Sequence, residues 1–428
     1  MTLSPADSAR ARHPKGLPVL FLTEMWERFS FYTMSSLLAL YMDEKLRFSH
    51  DALRHVQGSY KLFVYFLPFF GGLLADRKLG LHRAVIFGGI LMMLGHLTLA
   101  IESLPFFFTA LLLLVLGSGL LKPNVSTILG ELYRDRPQLR DSGYNLFYMG
   151  INTGAFLGPL SAGYLQHHAS WSIAFASAGV GMLVSLVVFV VGLPRTGYRK
   201  GGTAERVRPP AETGATLAPG ETQRRVVALS VVFLIAIIFW MAFYQYDFSM
   251  TFWFRDNIRT TVPAEWSQSI EPLCVIAFSP LVVWLWGTLR ARRAEPRSPA
   301  KMMFGMFLMT AAFLLAFVAG RMGGDTGRVS VAWIVGIYVL IALGEIFVSA
   351  MGLSLVSRVA PPKMQGMMMG AWFVATGVGG YLSNGIGFLW YKLPHSTYFA
   401  IMAAFLAFGG LLLVVLARPL NRVIDQTT

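Results

Sequence analysis

The chain has 428 residues, 55% of them hydrophobic and 14% charged, with 33 Phe and 21 Met. A soluble domain carries nearer a quarter charged residues, so this composition excludes an ordinary soluble globule and predicts a polytopic all-α membrane protein. The net charge of +14 raises nucleic acid as a partner, a reading that the placement of the charges removes.

In chain order, residues 1–16 form a polar, basic tail without the apolar stretch and cleavage site of a signal peptide. Twelve spans are then predicted, at 17–42, 52–75, 83–101, 104–130, 143–166, 170–193, 226–252, 268–289, 302–320, 331–357, 365–390 and 397–417. Residues 418–428 close the chain as a second tail. With both termini cytoplasmic, and the span-end Arg54 and Arg83 counted with the segments they adjoin, the inner segments hold 25 Lys and Arg and the outer segments eight, while Arg28, Lys61 and Lys122 fall within spans. That asymmetry fixes the orientation by the positive-inside rule, so the basic excess reports topology and not a polyanionic partner. The single Cys274 rules out an internal disulfide, and the eight His show no ligand spacing, so no metal site is expected.

The first span is unusual. Glu24, Glu27 and Arg28 are spaced i, i+3, i+4 and share one helical face among apolar neighbours. Charges at bilayer depth cost roughly 2.5–3.5 kcal/mol each on insertion scales and survive where they pair or line a water-filled path. One arginine does not neutralise two acids, which leaves one acid free to take a proton. The alternative is a static salt bridge between helices.

Beyond it, Gly117-Ser-Gly119 through Asn124 and Asn152-Thr-Gly154 through Pro159 put small residues and prolines where helices approach closely. Asp76 and Arg77, after the second span, are expected to latch neighbouring helix ends, with a plain surface ion pair as the alternative. His96 is expected to be a satisfied packing residue. Residues 194–225 are rich in Gly, Pro and charge and read as a flexible cytoplasmic linker between a bundle at 17–193 and another at 226–417. The two halves show no convincing sequence repeat.

Four segments carry a family resemblance: Glu24-Met-Trp-Glu27-Arg28-Phe29, Lys122-Pro123-Asn124-Val125-Ser126, Phe147-Tyr148-Met-Gly150-Ile151-Asn152, and Glu345-Ile-Phe-Val-Ser349. Met369-Gly370-Ala-Trp372-Phe373 also fits. With these, the chain resembles the proton-dependent oligopeptide transporter family of the major facilitator superfamily over residues 17 to 390. The resemblance implies a major facilitator fold of two six-helix bundles and proton-driven import of small peptides by alternating access, without a cofactor. It assigns proton coupling to Glu24, Glu27, Arg28, Lys122 and Glu345, with Lys122 and Glu345 paired in one conformation. It places Tyr32, Tyr65, Asn152, Ser349 and Trp372 around the solute, and Glu345 at its amino terminus. The implied setting is the inner membrane, with lipid as the surroundings and a monomer as the working unit.

Elementary chemistry agrees, because a zwitterionic peptide needs an acid and a cation facing each other, and Glu345 and Lys122 supply them. The chain also departs from the family. Ser35 stands where an arginine is common, and Tyr244 stands where a glutamate is usual. Losing both members of that pair strands no buried charge, and it predicts altered recognition of the solute's carboxylate end, with Tyr244 facing the solute. Asp247 is expected to pair with Arg255. The 194–225 linker is too short for the two extra helices found in many bacterial relatives. Export of a peptidic metabolite or drug, and a non-transporting sensor, remain the competing readings. No nucleophile–base constellation or phosphate loop suggests an enzyme.

Overall fold

The computed structural model describes residues 13–136, 139–196, 220–361 and 364–425. Most of the N-terminal tail and the linker's 197–219 therefore lie outside the described residues. Among those described, twelve long helices follow one another: α1 Leu17–Leu40, α2 His50–Leu74, α3 Leu81–Leu99, α4 Leu104–Leu132, α5 Arg140–His168, α6 Trp171–Val187, α7 Glu221–Phe243, α9 Ile270–Ala291, α10 Ser298–Met322, α11 Val331–Val359, α12 Gln365–Ile386 and α13 His395–Asp425. A shorter helix, α8 (Ser249–Asn257), follows α7. Among the described residues, nine stretches are long and apolar enough to cross a membrane; α1, α5 and α12 are not among them. Those three carry the Glu24/Glu27/Arg28 charges, Asn152 and Trp372 respectively. The C-terminal tail expected from 418 is a continuation of α13 as far as Asp425.

Two compact units result. Of the described residues, those up to Leu37 and those from Phe66 to 196 form the first; Leu38–Tyr65 joins those from 220 onward in the second. The division expected in the linker alone thus also cuts α1 and α2. Polar ties accompany this division, linking the end of α1 and the start of α2 to later residues. Arg54 donates to the Gly385 carbonyl (2.9 Å), and Arg255 pairs with Asp43 and Glu44 (3.0 Å each).

The first unit is built around α3 against α4 and α6, and the second around α10 against α11 and α13. Both use the same device. A Cβ added at Gly117 of α4 would stand 2.6 Å from the Gly88 carbonyl of α3, and one at Gly305 of α10 would stand 2.8 Å from the Gly344 carbonyl of α11. Removing the side chain lets backbones touch, which is how helices gain packing where lipid offers no hydrophobic incentive. The third and fourth long helices of each half therefore share a glycine seam that no sequence repeat announces.

The seventh predicted span is broken. After Phe243 the chain makes a 3₁₀ turn at Tyr244–Asp247, and Phe248 (φ −123°, ψ −95°) redirects it into α8. No Gly or Pro marks the break. Gln245 holds it, donating to the Ser383 carbonyl (3.0 Å) and accepting from Tyr398 (2.8 Å) and Ser249 (2.7 Å). The turn has buried polar backbone, which Tyr338 and Thr251 satisfy at the Tyr246 carbonyl (3.1 Å each) and Gln57 at the Asp247 carbonyl (3.4 Å).

His96 corrects its expectation. It is fully buried on α3, yet neither ring nitrogen has a hydrogen-bond partner among the described residues, so it packs without being satisfied. Asp76 and Arg77 are exposed in a π-helical turn after α2 and form no ion pair among the described residues. Among the described residues, the expected latch is not engaged.

Candidate functional site

In the first unit, the site begins with how α1 is seated. Helix α5 presents Gly150, Gly154 and Gly158 at four-residue spacing, and added Cβ atoms there would meet Phe21, Met25 and Phe29 backbone oxygens at 3.0, 2.2 and 2.8 Å. Thr33 completes the seam by donating to the Gly158 carbonyl (3.2 Å). This contact turns the charged stripe of α1 inward, where Glu24, Glu27 and Arg28 are all buried.

Within the stripe the two acids are held differently. Arg28 forks onto Glu27, with Nε bonding one carboxylate oxygen and an Nη bonding the other at 2.6 Å. Glu24 reaches the same guanidinium only at 3.5 Å through Oε1, and its Oε2 is buried without a hydrogen-bond partner among the described residues. Lys122, from α4, lies within electrostatic reach of Glu24, Glu27 and Arg28. The Arg28 guanidinium also stacks over the Phe31 ring at 4.9 Å, and Tyr32 lies close enough to Arg28 to act on it electrostatically. The fork engages both Glu27 oxygens at once. Glu24 is the acid with an unmet oxygen. Asn152 is buried on α5, its amide donating to the Tyr148 carbonyl (3.0 Å).

In the second unit, the structure brings Lys61 and Asp247 together. The ammonium is 2.5 Å from Asp247 Oδ1 and 5.1 Å from the Tyr244 ring centroid, with both charged residues buried. Gln57 donates to the Asp247 carbonyl (3.4 Å). Tyr65 lies against Tyr244 with ring centroids 6.0 Å apart. The expectation that Asp247 pairs with Arg255 is overturned. Arg255 is taken by Asp43, Glu44 and Asp256, and the 3₁₀ turn points Asp247 at Lys61 instead. Lys61 was visible as a mid-span cation, but its partner required the break after α7.

Glu345 is buried on α11, with Ser349 one turn further along. Trp372 of α12 is also buried; its ring lies where a side chain on Gly352 would be, 2.0 Å from an added Cβ, and 6.4 Å from the Phe233 ring. Sequence reasoning missed Glu271, a buried acid in the first turn of α9 that lies within electrostatic reach of Glu345. An isolated acid in Ile270-Glu271-Pro272-Leu273 is the signal that would have found it.

Comparison with known proteins agrees with this architecture. Residues 82–209 and 211–401 match the profile of the POT family. The chain is 31% identical to an uncharacterized transporter, YclF, of Bacillus subtilis, over 94% of each. It is also 31% identical to the peptide transporter YePEPT of Yersinia enterocolitica (97% and 96% covered) and 28% identical to a di-/tripeptide transporter of Lactococcus lactis (96% and 97%). A crystal structure of a peptide transporter POT in complex with sulfate superposes with a TM-score of 0.87 at 28% identity, covering 99% of both chains. With its membrane-length helices and this match across nearly its whole length, the chain belongs to the POT family of membrane transporters, with the major facilitator fold.

Proposed function

We propose that the protein is a proton-coupled symporter that imports small peptides or peptide-like solutes across the cell (inner) membrane by alternating access, with both termini cytoplasmic. The observation that carries the reading is Glu24 Oε2, buried and unbonded beside two cations. Glu24 is the acid that takes the proton in this reading, since its Oε2 has no bond to lose among the described residues while both Glu27 oxygens are held. Protonation of Glu24 weakens its hold on Arg28 and Lys122 while Glu27 keeps the guanidinium in place. Lys122 is then available to the solute's anionic end or to Glu345, so solute passage follows proton entry. Tyr32, Asn152, Tyr65, Ser349 and Trp372 belong to the solute's surroundings in this reading. The names of the Yersinia and Lactococcus relatives support the peptide class.

Recognition of the carboxylate end is altered. Ser35 and Tyr244 offer no charge, and Lys61, the cation beside Tyr244, is already engaged by Asp247. Carboxyl-amidated dipeptides therefore compete as well as free ones. The protein works as a monomer, without a cofactor.

Uptake of labelled dialanine into proteoliposomes under an inward proton gradient tests the reading. Accumulation that collapses on proton-gradient release, and is absent in Glu24→Gln, is the expected result. Efflux of another solute with no dialanine uptake would establish the export reading instead, and a steep preference for free carboxylates would remove the altered-recognition element.

A further inference from the structure

Glu271 has no part in the scheme above, yet its setting is chemically costly. The residue is 7% exposed in the first turn of α9 and forms no hydrogen bond or ion pair among the described residues. Its carboxylate lies within electrostatic reach of Glu345 on α11, the helix against which α9 packs. The Trp286 and Phe347 rings, 5.3 Å apart, hold the same two helices together further along. Tyr338, two turns before Glu345 on α11, is also close to Glu271, but its hydroxyl donates to the Tyr246 carbonyl (3.1 Å). Lys61, a buried cation of this unit, is committed to Asp247. Cys274, one turn along α9, brings no positive charge.

A buried acid without a countercharge, set beside a second acid, is a strongly unfavourable arrangement that a bound cation relieves. An ordinary peptide brings one ammonium to this place, and Glu271 adds an acid that a second ammonium would answer. We propose that Glu271 and Glu345 together form a doubly acidic subsite for the amino end of the solute, selecting compounds that carry a second ammonium near the α-ammonium, as a lysyl or diamino side chain does. The proposal deepens the reading of the protein as a carrier of peptide-like solutes and rests on it. It also fits the missing carboxylate machinery: a carrier that has lost charge at one end of its solute gains it at the other.

Thermal stabilisation of the purified protein by lysinamide and by norleucinamide tests this directly. The two probes differ chiefly in the side-chain ammonium, and neither has a carboxylate. Wild type is expected to bind lysinamide about ten-fold more tightly. Glu271→Gln abolishes that difference while norleucinamide binding persists, and Glu271→Asp keeps part of it. Equal binding of the two probes by wild type, or a preference that survives in Glu271→Gln, overturns the proposal. Failure of the transport reading shows up separately, as absent proton-driven dialanine uptake by a protein that still prefers lysinamide through Glu271.

Discussion

Two buried charge clusters use similar residues to opposite ends. On α1, Arg28 serves two acids unequally, and Lys122 adds a second cation within reach, so partners outnumber fixed bonds. In the second unit, Lys61 and Asp247 answer each other one to one at 2.5 Å, with Tyr244 covering the ammonium. Buried charge has no cheap alternative to pairing, so a pair bonded one to one is locked, while a cluster in which two acids share one guanidinium can exchange. The first arrangement suits a proton switch; the second suits a fastener.

The largest effect should come from unbalancing the fastener. Lys61→Ala leaves Asp247 buried alone and is expected to cost roughly 3–5 kcal/mol, whereas replacing both residues with apolar or neutral partners costs far less. Melting temperatures of the purified single and double variants check this, and equal losses would show that the pair is not a closed unit. Next comes the switch itself. One proton charge across about 100 mV is worth about 2.3 kcal/mol, roughly fifty-fold in accumulation. Glu24→Gln is expected to forfeit that gain while keeping gradient-free exchange of dialanine. If Glu27→Gln were the only one of the two to do so, the roles of the acids would be reversed.

A smaller loss should follow from unseating the cluster. Gly154→Ala places a Cβ against the Met25 carbonyl at 2.2 Å and is expected to cost about 1–3 kcal/mol through overpacking. A larger drop in proton-driven uptake than in solute exchange would tie that seam to the switch. The smallest effect belongs to Arg255, a quarter to one half exposed with its acid partners Asp43, Glu44 and Asp256. Arg255→Ala should change stability by less than about 1 kcal/mol, because water already screens the pairs.

Much of this was legible beforehand, for physical reasons. Apolar runs of membrane length announce spans without reference to packing, and charges inside an apolar run stand out because lipid cannot solvate them. Glu24, Glu27, Arg28 and Lys122 were found this way. Asp247 was misassigned because a helix extrapolated through Tyr244 aims it elsewhere, and the 3₁₀ turn that redirects it depends on Gln245 reaching Ser383 and Tyr398. Glu271 was overlooked because a lone acid near a span's end resembles an interfacial residue until its burial and its neighbour Glu345 are seen.

The sequence by itself determined the membrane setting, the helix count and the chemistry available to α1, because hydropathy and charge act locally along the chain. Only the tertiary structure decided which acid Arg28 grips with two bonds, that Lys61 answers Asp247, and that Leu38–Tyr65 sides with the later unit. Partner choice among buried charges is a matter of a few ångströms and of helix breaks held by distant residues, and no one-dimensional pattern encodes those distances.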